Sequence, residues 1–364
     1  MSDTDVEEVP APSRESTPRR RTGYVAGLFV LLVLLLLSAV VVLIAQGSIA
    51  IPIGEVLRIL TGQGTESEIN QTIVMDARLP KVVAGLLAGA ALAVSGVQMQ
   101  TLFRNPLAEP FVLGVNSGAI LGAAIVILGT SGVGWLAGLG VVSQLGVTGA
   151  AVAGAAVVLL ITLGISRRVG NPVVVLVIGV MLGYLAEAGV DMLVYYTDPD
   201  RLQALTTFRR GSVRNVTWNE LQIVGITCGA VLGVSILLAQ PLNALLLGER
   251  YAASLGINVR RVHFLSLASV AGLAGIITAY CGEIAFIGLA APHLARGLLR
   301  TADHRLVLPA SALTGAIIVL VAEFIAGGNG ITSTSLPLTS VTAFVGAPVI
   351  LWVLMSGRAR RGTQ

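Results

Sequence analysis

Charge is scarce in this chain. Only 12% of its 364 residues are Asp, Glu, Lys or Arg, about half the share of roughly 25% in a soluble globular protein. So little charge cannot wet the surface of a soluble domain. The remainder is 55% hydrophobic, with mean hydropathy +0.87, which places the chain among polytopic membrane proteins. Lysine is scarcer still: Lys81 is the single one, and no GxxxxGK[ST] occurs. A P-loop needs that lysine on the phosphates, so this polypeptide cannot hydrolyse ATP by a Walker mechanism. There are two cysteines, Cys228 and Cys281, and three histidines, with no CxxC and no His/Cys cluster. Nothing therefore points to a metal site or a resident cofactor. HExxH and GxSxG are both missing, which removes the simplest intramembrane hydrolases. The pI near 9.4 does not call for nucleic acid, because the arginines fall in short clusters between apolar runs, as membrane topology demands.

What is present is about ten apolar runs, each near the 20 residues that cross a bilayer as helix. They lie near 24–46, 80–101, 111–130, 143–166, 173–196, 219–241, 263–281, 284–300, 306–326 and 337–355. The eighth is interrupted by Pro292 and His293. The predicted fold is all-α, with ten transmembrane helices over 23–356. Residues 1–22, rich in Pro, Ser and charge, read as a disordered tail, and 357–364 as a second tail. The Arg19-Arg20-Arg21 cluster before the first run also resembles a signal peptide. The run is too long for a typical h-region, however, and lacks an A-x-A site. With the N-terminus inside, 16 basic residues fall on the cytoplasmic side and 7 outside, so both termini are expected to be cytoplasmic.

Glycines recur within the runs, at Gly85, Gly89 and Gly96 in the second and Gly272 and Gly275 in the seventh. Small residues let helices approach closely where lipid gives no hydrophobic drive. "VAGLLAGAALAVSG" in the second run is echoed by "SVAGLAGIITAYCG" (Ser269–Gly282) five runs later. An odd number of spans per half would make the halves inverted five-helix repeats.

Three connections stand out. "LFRNPLAEPFVLG" (Leu102–Gly114) is a polar, proline-stiffened corner between two apolar runs. Asn105 before Pro106 is disfavoured in helix, and Pro110 opens the next one. The corner reads either as a constriction at the inner mouth or as a simple tight turn. "PLNALLLGERYAASLGINVRR" (Pro241–Arg261) is the longest cytoplasmic connection. It suits two short helices with a glycine-marked break, and its apolar residues offer a partner a docking face. A plain interfacial helix is the other reading. In the fifth run Glu187 and Asp191 are four apart and share a helix face. They line a polar path, or they meet headgroups and the arginines at 201, 209, 210 and 214.

These stretches carry a resemblance. Arg78–Ala119 ("RLPKVVAGLLAGAALAVSGVQMQTLFRNPLAEPFVLGVNSGA"), "LLLGERYAASLGINV" and Ile284–Ala316 resemble the FecCD/BtuC-type permeases of binding-protein-dependent ABC importers over nearly the whole chain. The resemblance implies a homodimer working with two ATP-binding cassette ATPase subunits and an extracytoplasmic substrate-binding protein. Its cargo is an iron chelate (haem or ferric siderophore), with cobalamin the alternative. It implies a cytoplasmic gate at Asn105, Pro106 and Leu107, joined by Asn171 and Pro172 of "VGNPV", where the family often has Thr or Ser. It implies ATPase coupling through the loop 242–262, with Leu247, Gly248, Ala252, Leu255 and Gly256. It also implies binding-protein docking at Arg78 and Lys81, three apart on one helical face, while the third basic anchor of some members is replaced by "IAGGNG". Gln98, Glu187 and Asp191 are the candidate path residues. An ion-coupled secondary transporter is the rival from another class. Glu187 and Asp191 favour it; the long cytoplasmic loop opposes it.

Overall fold

The computed structural model describes residues 18–47, 49–63, 67–129, 144–169, 171–214, 216–327 and 336–361. The expected N-terminal tail lies outside these up to residue 17, and the first helix, α1 (Pro18–Ala45), starts at Pro18. Next come α2 (Ile53–Leu60), α3 (Glu68–Thr72), a π-helical turn (Ile73–Arg78) and α4 (Leu79–Leu102). A 3-10 turn (Pro110–Leu113) leads into α5 (Val115–Gly129), followed by α6 (Gln144–Val169) and α7 (Pro172–Tyr195). Then follow α8 (Pro199–Arg209), α9 (Trp218–Leu237), α10 (Ala239–Leu246), α11 (Glu249–Ser254) and α12 (Val259–Cys281). The chain closes with α13 (Ile287–Leu299), α14 (His304–Ala326) and α15 (Leu338–Arg361).

Each of the ten apolar runs forms a helix: α1, α4, α5, α6, α7, α9, α12, α13, α14 and α15. Among the described residues seven helical segments are long and apolar enough to span a membrane, and α5 and α15 contribute shorter apolar stretches. The eighth run is the outlier. Helix α13 has 13 residues, about 20 Å at 1.5 Å per residue, against about 30 Å of hydrocarbon. It is a half-span, and Gly282–Phe286 leads into it without helix. The last run continues as helix through Arg361, so much of the expected C-terminal tail extends α15.

Helix α4 is the hub, packing on α14, α12, α13 and α9. Its expected small-residue packing is present at two of the predicted glycines. A Cβ at Gly89 would collide with Gly315 on α14, and one at Gly96 with the Gly288 carbonyl on α13. Gly272 on α12 instead faces open space. The core follows the same distribution: Leu92, Val97, Leu273, Ile277, Ile287 and Leu308 are buried together in one cluster.

Candidate functional site

The corner after α4 begins with a helix stop that normally uses glycine. The Asn105 amide donates to the Gln100 carbonyl (3.2 Å), and the Arg104 amide to that of Thr101 (3.3 Å). This is the bond pair of a Schellman cap, whose C′ residue is left-handed. Arg104 fills that slot at φ 46°, a conformation that costs an L-residue about 1–2 kcal/mol. Asn105 Oδ1 then accepts from the Leu107 amide (3.0 Å), closing a side-chain turn in place of the bond that Pro106 cannot donate. Asn105, Pro106 and Leu107 are exposed.

Beyond them the chain folds back into the bundle. Pro110 lies against Gly288, which in turn abuts α4 at Leu92 and Gly96, well before that helix ends. Glu109 Oε1 accepts from the Phe286 amide at 2.8 Å, immediately before α13. An open helix start exposes unpaired amides and a partial positive charge, and a carboxylate answers both. Non-helical backbone at membrane depth is tolerated only where protein satisfies it; Glu109 does so here, and Thr339 Oγ1 does so at the Glu283 carbonyl. The polar character of "RNPLAEP" thus has a physical source: it caps two helices, one of them 177 residues away.

The second corner repeats the local chemistry. Asn171 Oδ1 accepts from the Val173 amide at 2.9 Å, and Pro172 occupies the first position of α7. The two corners meet across one cavity of about 630 Å³, lined by Phe103, Arg104 and Asn171 together with Leu247, Gly248 and Glu249 of the long loop. The loop forms the two short helices expected, α10 and α11, broken at Gly248 (φ 121°) and closed at Gly256 (φ 80°). Leu247 and Leu255 are 69% and 58% exposed, an apolar face open to a partner. Ala252 is fully buried beneath it with Leu242 and Leu245, so of the five coupling candidates this one holds the segment's shape and offers no contact surface.

A hydrogen-bonded chain that the sequence reading missed links loop and corner. Asn243 on α10 donates through Nδ2 to Asp303 Oδ1 (2.6 Å), and its Oδ1 receives the His304 amide (2.8 Å) and lies 2.8 Å from His304 Nδ1. His304 Nε2 is 2.7 Å from Thr101 Oγ1, in the last turn of α4. The imidazole is therefore buried between α10 and the start of the corner. Burial would raise the Asp303 carboxyl, but the Arg305 amide and Asn243 outweigh it and hold its pKa below the usual carboxylate range. The signal available in sequence was only Asn243 in the loop and a histidine opening α14, too far apart to pair by spacing.

The other expected residues separate. Arg78 sits in the π turn, buried, and its guanidinium donates to the carbonyls of Ile44 (2.5 Å), Ala45 (3.1 Å) and Ile49. Those bonds tie the Arg78 guanidinium to the backbone at and after the end of α1 and do not leave it on an exposed rim. Lys81 instead pairs with Glu323 at 3.0 Å, and Arg214 reaches the same carboxylate at 2.6 Å. Glu187 pairs with Arg209 on α8 at 3.2 Å, the second of the two readings left open for it. Asp191 is exposed on α7. Gln98 is fully buried in α4, and neither amide atom has a bonding partner among the described residues, so the structure does not bring it together with Glu187 and Asp191.

The model of the FecCD transport family matches residues 31–356. The chain belongs to the FecCD transport family. Among its relatives, the vitamin B12 import system permease protein BtuC of Klebsiella pneumoniae is 37% identical over 331 residues, covering 90% of this chain and 93% of the relative. The ferric enterobactin transport system permease protein FepD of Escherichia coli K12 is 37% identical over 323 residues, 89% and 93% of the two chains. A solved structure described as an inward-facing metal-chelate type ABC transporter superposes with TM-score 0.78 at 26% identity, covering 93% of this chain and 99% of that one. As a FecCD member this chain is a multi-pass membrane protein and a transporter component, not a catalytic subunit.

Proposed function

We propose that this chain is the membrane-spanning permease subunit of an ATP-driven importer that carries an iron complex, haem or ferric siderophore, across the cytoplasmic membrane. The observation that carries this is the family match over residues 31–356. Two relatives are named for ferric enterobactin and for vitamin B12, so cobalamin is the second substrate reading. Uptake of labelled siderophore, haem and cobalamin in a strain deleted for this chain decides between them. Retention of all three activities would refute the assignment.

The working unit is a homodimer with two ATPase chains and an extracytoplasmic binding protein, and both termini are cytoplasmic. The cavity between Phe103 and Arg104, just before the Asn105–Leu107 turn, Asn171 and the α10–α11 segment supports a gate driven by whatever docks on Leu247 and Leu255. The broad exposed face of α7, with Tyr184, Met192 and Tyr195, suits the path between two copies, and Asp191 lies on it. Glu187 is held by Arg209, which weakens the ion-coupled alternative.

Docking of the binding protein rests on Lys81 and the half-exposed Arg214 beside it, with Arg78 securing the helix that presents them. Charges at a docking rim mostly steer and orient. Lys81→Gln, which sets no new carboxylate against the buried Glu323, is therefore expected to weaken binding-protein affinity at low salt, where screening is least, while assembly with the ATPase persists. Unchanged low-salt affinity would remove Lys81 from the docking face.

A further inference from the structure

At the end of the bundle where α6 stops and α12 starts, a cavity of about 500 Å³ is lined by Arg167, Asn258, Arg260, Arg261, Phe264 and Leu265. We propose that this cavity is a binding site for the headgroup of an anionic phospholipid. Three of its six lining residues are arginines and none is acidic. Among the described residues no carboxylate forms an ion pair with any of the three. The Arg167 guanidinium lies over the Phe264 ring at 4.5 Å. Stacking holds its plane and leaves its N–H edge free for a phosphate, which arginine recognises bidentately.

Location distinguishes this cluster from an ordinary solvated charge run. Arg167 closes one candidate membrane span (Gly146–Val169), and Arg260 and Arg261 open another (Val259–Cys281). Below the arginines the surface turns apolar. Leu160 is two turns from Arg167 on the same helix face and 68% exposed, and Leu265, one turn from Arg261, is 42% exposed. Gly272 continues the α12 face as open space. Charge above and an apolar strip beneath match a phosphate with acyl chains running along the helices. Basic pockets between transmembrane helices bind acidic headgroups in this way. The cavity is also larger than a bare phosphate needs, leaving room for a glycerol headgroup. Nothing here depends on the transported substrate or on the coupling reading.

The test uses the full-length chain purified in neutral detergent, with lipid adducts counted by native mass spectrometry during titration with phosphatidylglycerol or phosphatidylcholine. The wild type should retain phosphatidylglycerol selectively. Basic residues beside an anionic headgroup each add to its retention, so Arg260→Ala with Arg261→Ala should weaken retention by about tenfold or more. The charge-matched Arg250→Ala with Arg305→Ala, outside the cavity, should not. Phe264→Leu, which keeps all charges, should weaken retention by a smaller factor. Equal losses in the two charge-matched doubles would show non-specific attraction and overturn the proposal. So would equal retention of phosphatidylcholine. Displacement of the lipid by millimolar inorganic phosphate would mark a free-anion site and overturn the lipid assignment.

Discussion

The two Asn-Pro corners are alike in sequence and in local geometry, yet they are held differently. At each, an asparagine side chain accepts the amide two residues on, at 3.0 Å in one and 2.9 Å in the other. The first is then tied into the bundle: Glu109 caps the start of α13, and Pro110 lies against Gly288. The second continues into Val173, which is 59% exposed, and from there into the exposed face of α7. Local turn chemistry sets how a corner bends; long-range partners set whether it can move. We propose that the first corner is the fixed jaw of a cytoplasmic constriction and the second the moving one.

The largest expected effect comes from untying the fixed jaw. Glu109→Ala leaves the Phe286 amide and the α13 start without their partner. Hydrogen bonds to charged groups contribute about 1.5–3 kcal/mol, so we expect about 2 kcal/mol of stability lost, with substrate leaking through the resting transporter. Thermal unfolding in detergent and a proteoliposome leak assay check both. If Asn171→Ala costs as much as Glu109→Ala, the distinction between the jaws fails.

Next is the link from the loop to the fixed jaw. His304→Ala breaks the bridge from Asn243 to Thr101. It should cost about 1–2 kcal/mol through the buried polar atoms left unpaired. Its distinctive consequence is uncoupling: ATP hydrolysis by the assembled complex should persist while transport per ATP falls several-fold. Hydrolysis and transport falling in proportion would make His304 merely structural.

The sequence disclosed the helices better than the ties between them. Runs of about 20 apolar residues sufficed to place ten helices, and Gly248 and Gly256 marked the break and end of the loop's second helix. Asn105 and Asn171 were legible because their turns are local. Glu109 was not, since its partner is a backbone amide 177 residues away and any residue supplies an amide. The partners of Arg78 and Lys81 were not legible either: Arg78 bonds to backbone carbonyls at Ile44, Ala45 and Ile49 and Lys81 to Glu323 on α14, contacts that no local spacing announces. His304 carries no signal of its own in the sequence, because its bonds depend on how α10 folds against α14.

The smallest effects, and the finest test of the comparison, come from the asparagines themselves. Asn105→Ala and Asn171→Ala remove equivalent local bonds, and loss of such a capping residue costs typically about 1 kcal/mol. On thermal stability the two variants should therefore be nearly indistinguishable. On function they should diverge. Asn105→Ala loosens a corner that Glu109 and Pro110 still hold, so transport should remain within about twofold of wild type. Asn171→Ala removes the side-chain bond of the second corner's turn, and among the described residues no long-range side-chain hydrogen bond ties this corner as Glu109 ties the first, so transport should fall further and the leak should rise. Paired measurement of unfolding temperature and substrate flux separates the two quantities. Equal stability with unequal flux supports one fixed and one moving jaw. If flux falls equally in both variants, the two corners move together, and the Glu109 tie stabilises the fold without deciding which side of the constriction opens.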